Sequence, residues 1–134
     1  MKFLHTADWQ IGMRAAKLGN SGERVREERL TSVKRIIEVA KSHKVEFILV
    51  AGDVFEDNAV DRVMIQKVSD ILDSFNKPVF IIPGNHDPRV PGSVWDHPAW
   101  KASKNICIIK EEAPIKVPGG MLFPCPVSEK HSGR

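Results

Sequence analysis

The sequence contains no apolar stretch that approaches the roughly 20 residues needed to cross a bilayer, which predicts a protein without a membrane span. Met1 leads directly into a first strand rather than into a secretion signal, so we expect a cytoplasmic location. Only two cysteines occur, Cys107 and Cys125, and they have no CxxC spacing. Their apolar surroundings favour buried free thiols over a disulfide or a metal-binding pair.

The length and the charge of the chain limit the kind of protein that it can be. Its 134 residues carry a formal net charge of +3, which permits a nucleic acid as partner but does not require one. A composition of 42% hydrophobic and 28% charged residues is typical of a globular protein with a core of its own. We predict one folded unit over residues 1–127 and a polar tail at residues 128–134.

Three short segments predict the strands of a parallel sheet: the first is mostly apolar and ends on a carboxylate, and the other two are continuous apolar runs bounded by glycine, proline or a polar residue. They span residues 2–8, 47–51 and 79–82. Apolar residues recur every three or four positions from about Arg24 onwards, and again after a cap near Asp57 or Asn58, which predicts two helices. Crossovers of this length join parallel strands.

Smaller elements are predicted beyond residue 87. They are a helical turn near residues 94–100 with its tryptophans packed on the domain, a strand over residues 105–110, and a hairpin from 115–117 to 121–123. The hairpin would open a second, antiparallel layer. The predicted fold class is therefore α/β, a mostly parallel sheet with flanking helices.

Polar residues follow each of the first three strands: Asp8, then Asp53 after Gly52, then Asn85-His86-Asp87 after Pro83-Gly84. The carboxyl ends of parallel strands lie along one edge of a sheet, so these side chains should converge. Two carboxylates that face each other repel strongly unless cations lie between them, which favours a metal site over a set of plain polar turns or helix caps. Oxygen ligands suit Mn²⁺ or Mg²⁺, and an imidazole extends the choice to Fe and Zn.

Three segments of the sequence resemble the calcineurin-like metallophosphoesterase superfamily, and most closely the SbcD-type nuclease subunits of DNA double-strand-break repair. They read KFLHTAD at residues 2–8, ILVAGDVF at 48–55 and PVFIIPGNHD at 78–87. The likeness covers the chain well to about Asp87 and more loosely beyond. It implies the amino-terminal half of a metallophosphoesterase domain.

Carried over position by position, the resemblance implies that Asp8 binds one metal ion, Asp53 bridges two and Asn85 binds the other. His86 would contact the phosphate and protonate the leaving oxygen, which suits an imidazole that titrates near neutral pH. Asp87 would orient His86 or serve as a turn residue. The cofactor implied is a pair of Mn²⁺ ions, with Mg²⁺, Fe or Zn as alternatives.

The sequence departs from the family pattern at two points. Gln10 stands where D-x-H has its histidine, and it is open whether this amide binds metal or is a polar neighbour. Histidines of the G-H-x-H kind are not found among the five in the sequence, so we expect the 134 residues to be part of a longer nuclease. His5, inside the first strand, is expected to be a core residue.

The function implied by the resemblance is a metal-dependent DNA exonuclease or endonuclease of break repair. The partners implied are DNA and an ATPase subunit of the SbcC type, and a homodimer is left open. The basic residues Arg14, Lys17, Arg24, Arg26 and Arg29 could meet DNA phosphates or form a solvated face, and Trp9 could stack on a base or pack in the core. The alternatives are a phosphoesterase acting on nucleotides or phosphoproteins, and a catalytically inactive binding or assembly module.

Overall fold

A computed structural model of the chain describes residues 1–11, 20–55, 62–84 and 93–125. Its elements in chain order are β1 (Phe3–Thr6), α1 (Asn20–Ser42), β2 (Phe47–Ala51), α2 (Arg62–Asp73), β3 (Val79–Ile82), a 3₁₀ turn (Val94–Asp96), α3 (Pro98–Ala102), β4 (Ile106–Ile108), β5 (Ile115–Val117) and β6 (Gly120–Leu122). The first four strands form one parallel sheet in the order β1-β2-β3-β4. Strands β5 and β6 form an antiparallel hairpin.

The two faces of the sheet pack against different partners because side chains alternate along each strand. On one face, Ile48, Val50, Val79 and Ile81 are fully buried in the main core with apolar residues of α1 and α2. The other face carries a smaller cluster around Phe47, Phe80, Ile109 and Val117, to which the hairpin contributes. The prediction of an α/β fold with a mostly parallel sheet and flanking helices is confirmed.

Individual elements follow the prediction with shifts at their ends. Helix α1 begins at Asn20, four residues before the position at which its apolar period starts at Arg24. The cap predicted at Asp57 or Asn58 lies outside the described residues. Within the described ranges, no helix is both long enough and apolar enough to cross a membrane.

The predicted packing of the tryptophans is confirmed, and it stabilises the segment that follows β2. The ring centroid of Phe55 lies 5.5 Å from that of Trp95 and 6.2 Å from that of Trp100. The two tryptophan rings are 5.4 Å apart, and the indole N–H of Trp100 donates to the carbonyl of Val94 at 2.9 Å. Aromatic contacts at these separations add to the stabilisation from burial. The chain after β2 is therefore anchored two residues beyond Asp53.

The expectation that His5 lies in the core is wrong. Among the described strands, β1 is the outermost one on its side of the sheet, and His5 is exposed on the face that the hairpin packs against. Phe3, two residues earlier on the same face, stacks on Phe47 with centroids 4.9 Å apart and is still 42% exposed. The residues of β1 on this face are thus only partly covered.

Both cysteines are free, as predicted, but the expectation that both are buried is wrong: Cys125 is exposed and Cys107 is half-buried.

Burial raises the pKa of the Cys107 thiol. A raised pKa lowers the thiolate fraction at any pH below it, and the thiolate is the form that reacts. We therefore expect iodoacetamide at pH 8 to alkylate Cys107 several-fold more slowly than Cys125, measured by mass spectrometry. Equal rates in the folded chain would contradict this, and in denaturant the difference should disappear.

Candidate metal centre

The segments that follow β1 and β2 lie side by side beyond the ends of the strands. We call residues 7–11 the β1 loop and residues 52–55 the β2 loop. The backbone N–H of Asp8 donates to the carbonyl of Gly52 at 3.1 Å, that of Gln10 to Asp53 at 3.1 Å, and that of Ile11 to Val54 at 2.9 Å. Three cross-loop hydrogen bonds thus bring the backbone of two predicted ligand residues, Asp8 and Gln10, next to that of Asp53.

Left-handed backbone conformations are concentrated in these loops. Asp8, Gln10 and Asp53 have φ angles of 57°, 50° and 53°. Of the five described non-glycine residues with positive φ, the other two, Lys44 and Asn76, lie two and three residues after the ends of α1 and α2, where this conformation commonly terminates a helix. At Asp8, Gln10 and Asp53 no helix end accounts for the conformation. Each such residue costs about 1–2 kcal/mol, and strain of this kind is typical of functional sites.

The end of β3 approaches the β2 loop closely enough to require glycine. A Cβ atom added at Gly84 would lie 2.6 Å from the backbone nitrogen of Asp53 and 2.9 Å from its Cγ, and it would also meet Oδ1. A Cβ added at Gly52, which has a φ of 84°, would lie 3.2 Å from the Cα of Gly84. The side chain of Asp53 therefore lies against the backbone at the end of β3.

Buried neighbours anchor both loops in the core. Ile11 follows Gln10, and Val54 and Phe55 follow Asp53; all three are fully buried. Trp9, between Asp8 and Gln10, is only 7% exposed, and its indole N–H donates to the hydroxyl of Thr6 at 2.8 Å. Of the two fates that the sequence left open for Trp9, packing in the core is the one observed.

Helix α1 also contacts the β1 loop. A guanidinium nitrogen of Arg29, Nη1, donates to the backbone carbonyl of Trp9 at 3.3 Å, across 20 positions of sequence. Sequence reasoning grouped Arg29 with other basic residues as a possible phosphate contact and did not predict this one. Its position in a helix does not reveal which carbonyl it reaches, so no signal in the sequence could have found it.

The predicted site residues divide into those that the structure describes and those that it does not. Asp8 is exposed, while Gln10 and Asp53 are half-buried, and these three lie on adjacent loops at one edge of the sheet. Asn85, His86 and Asp87 lie outside the described residues, directly after Gly84 in the sequence. In the ranges that are described, no three His, Cys, Asp or Glu side chains are grouped as metal ligands.

The residues present fit a hard divalent cation. Two carboxylates and one amide supply oxygen donors, the type that Mn²⁺ and Mg²⁺ prefer. The Gly84 backbone lies directly against the Asp53 side chain and leaves no room for a Cβ atom. The donor set is acidic and lies on loops anchored on both sides, as a metal centre requires.

A parallel α/β sheet with carboxylates at the carboxyl ends of adjacent strands is the arrangement that the sequence motifs imply. The sequence profile described as calcineurin-like phosphoesterase matches residues 1–124. The chain therefore belongs to the calcineurin-like phosphoesterase family, and members of this family generally use a divalent metal site.

One similar protein is a subunit of a nuclease. Over 102 aligned residues the chain is 30% identical to the SbcD component of the nuclease SbcCD from Staphylococcus saprophyticus subsp. saprophyticus. The alignment covers 71% of this chain and 26% of the relative. The chain thus spans about a quarter of the length of the relative that it matches.

Proposed function

We propose that this chain carries part of the active centre of a metal-dependent phosphodiesterase that cleaves DNA. Asp8, Gln10, Asp53 and Asn85 would bind a pair of divalent cations, Mn²⁺ by preference, and His86 would act on the leaving oxygen. The proposed partners are DNA and the other component of an SbcCD-like assembly. Support for DNA comes from the relative, a nuclease component, and from the positive net charge of the chain.

The observation that carries the proposal is the grouping of three strained residues. Asp8, Gln10 and Asp53 are the described residues for which the sequence predicts metal binding, and all three have left-handed backbones on two hydrogen-bonded loops. An ordinary turn has no need of left-handed backbones at three residues with oxygen-bearing side chains on two adjacent loops. A cation bound between the loops would offset the backbone strain.

The role proposed for each residue follows from the chemistry of its side chain. When bound, two divalent cations supply charge neutralisation at the phosphate and activation of water for attack on phosphorus. Asp53 lies between the β1 loop and the end of β3, which supports a role as a ligand shared by both ions. His86 would donate a proton to the departing oxygen, and Asp87 would fix the orientation of the imidazole.

The proposal is tested by titrating the 134-residue chain, and any longer gene product that contains it, with Mn²⁺ and Mg²⁺ in a calorimeter and by assaying DNA cleavage by both. We expect saturable Mn²⁺ binding, and cleavage of DNA ends in preference to small phosphodiesters, nucleotides and phosphoproteins. In His86→Ala, cleavage should fall about 10²-fold or more while Mn²⁺ binding persists, because only proton transfer is removed.

The binding and cleavage measurements each exclude one of the alternative functions. Mn²⁺ binding without cleavage by either the 134-residue chain or the longer product would identify an inactive binding module. Cleavage of nucleotides or phosphoproteins alone would identify a different phosphoesterase. Cleavage that is unchanged in His86→Ala would overturn the role proposed for this histidine. A chain that binds no divalent cation would overturn the metal centre itself.

A further inference from the structure

We infer that Arg29 is a positioning residue for the candidate metal centre: its hydrogen bond to the Trp9 carbonyl holds the β1 loop in the conformation that binds cations. This inference rests on the proposed function, since it concerns the same metal centre. It adds to that function a residue on α1, outside all three strand-end motifs. Arg29 needs no direct contact with a metal ion or with substrate for this role.

Trp9 lies in the β1 loop between two residues proposed to bind metal. Asp8 precedes Trp9 and Gln10 follows it, and both have left-handed backbones. The Trp9 carbonyl shares a planar peptide unit with the N–H of Gln10, so its orientation depends on ψ of Trp9 and φ of Gln10. A group that fixes this carbonyl restrains Gln10 directly, and it restrains Asp8 through Trp9. Arg29 is the group observed to do so, with Nη1 at 3.3 Å.

The N–H of the same peptide unit, that of Gln10, is bonded to Asp53, so Arg29 adds a second restraint, on the carbonyl side and from α1. The N–H groups of Asp8, Gln10 and Ile11 are bonded to the β2 loop, and these bonds fix the loop on its β2 side. The indole of Trp9 is held in the core and by Thr6. Among the hydrogen bonds of the described residues, the one from Arg29 is the link between the loop and α1. It is charge-assisted and part-buried, which strengthens it relative to a bond between neutral, exposed groups.

The charge of Arg29 and its hydrogen bond act on cation binding in opposite directions. A guanidinium near the centre repels a divalent cation by Coulomb's law. If charge were the dominant effect, removal of Arg29 would tighten Mn²⁺ binding. If the hydrogen bond holds the loop, removal of Arg29 weakens Mn²⁺ binding instead. The sign of the change in affinity therefore decides between the two.

The test compares Arg29→Ala, Arg29→Gln and Arg29→Lys with the wild-type chain, with Arg35→Ala as the matched control. Arg35 lies on the same helix and is exposed, so its loss changes net charge equally without touching the β1 loop. Mn²⁺ dissociation constants are measured by electron paramagnetic resonance. We expect Arg29→Ala to bind Mn²⁺ about 10–100-fold more weakly, the range typical of residues that orient metal ligands. Arg35→Ala should match the wild type.

Two further measurements separate positioning from folding and from charge. Arg29→Gln retains an N–H donor without the charge and Arg29→Lys retains both, so each should recover part of the affinity. In the metal-free state, the amide NMR signals of Asp8 and Gln10 should move in Arg29→Ala, while that of Ile81 in β3 stays in place.

Three results would overturn the inference. They are an Arg29→Ala affinity equal to or above that of Arg35→Ala, a recovery in Arg29→Lys with none in Arg29→Gln, and unmoved Asp8 and Gln10 signals. A wild-type chain that binds no Mn²⁺ would instead overturn the proposed function, and this inference with it.

Discussion

Asp53→Asn is expected to abolish binding of divalent cations while leaving the fold intact. Asparagine adopts the left-handed conformation as readily as aspartate, so the backbone at this position, with a φ of 53°, need not change. Only the charge and one oxygen are lost. Residues that merely orient metal ligands cost about 10–100-fold in affinity when removed, so loss of a shared ligand should cost at least about 100-fold. DNA cleavage should fall further than in His86→Ala, because both ions lose a ligand.

Thermal unfolding with and without Mn²⁺ gives the clearest measurement. A wild-type chain at roughly a hundredfold excess of Mn²⁺ over its Kd gains about 2.7 kcal/mol, which corresponds to roughly 10 °C in Tm for a domain of this size. In Asp53→Asn this shift should vanish. The metal-free Tm should stay close to that of the wild type, since asparagine tolerates the same backbone conformation.

Glu38→Gln is the matched control for the change of charge. Glu38 is exposed near the carboxyl end of α1, which leads into the start of β2. It therefore lies toward the amino-terminal ends of the strands, away from the candidate metal centre at their carboxyl ends. Glu38→Gln should retain the full Mn²⁺ shift in Tm. An Asp53→Asn variant that keeps the wild-type shift would exclude Asp53 as a ligand.

Gly84→Ala is expected to displace Asp53 and so to weaken both the fold and cation binding. The added Cβ would lie 2.6 Å from the backbone nitrogen of Asp53, closer than real Cβ contacts come, and the atom that it meets is backbone. Overpacking of this kind costs about 1–3 kcal/mol of unfolding free energy. Because Asp53 must move to relieve the contact, Mn²⁺ affinity should fall about as far as in Asp53→Asn.

Gly120→Ala serves as the control for the loss of a glycine. A Cβ at Gly120 would meet its nearest neighbour, in the flexible side chain of Met1, at 3.6 Å, which is ordinary van der Waals contact. Urea unfolding should place this variant within about 0.5 kcal/mol of the wild type, and its Mn²⁺ binding should be unchanged. Wild-type Mn²⁺ affinity in Gly84→Ala would show that the site tolerates the extra atom, against the geometry described.

The sheet could be predicted from the sequence because its signals are local. Continuous apolar runs mark β2 and β3, and the helical period between them fixes the parallel pairing. The convergence of Asp8 and Asp53 followed from the same topology, since residues after adjacent parallel strands share an edge. The roles of Asn85 and His86 stay predictions.

What could not be predicted depends on contacts between distant segments. The left-handed backbones of Asp8 and Gln10 are held by hydrogen bonds to the β2 loop, which no local pattern encodes. The exposure of His5 depends on how much of one sheet face the rest of the chain covers. Helix α1 begins at Asn20, four residues before its apolar period, because a helix can begin before the first residue that its apolar stripe marks.

Because β1 is an outer strand of the described sheet, binding of an ion at the candidate metal centre and pairing of β1 with β2 should stabilise each other. This strand has four residues, and among the described strands its one hydrogen-bonded neighbour is β2. If it detached, the bonds from Asp8 to Gly52 and from Gln10 to Asp53 would break in the same event. An ion bound between the loops would therefore stabilise the first eleven residues against local unfolding. Conversely, fraying of this short strand would set a lower limit on how fast the ion is released.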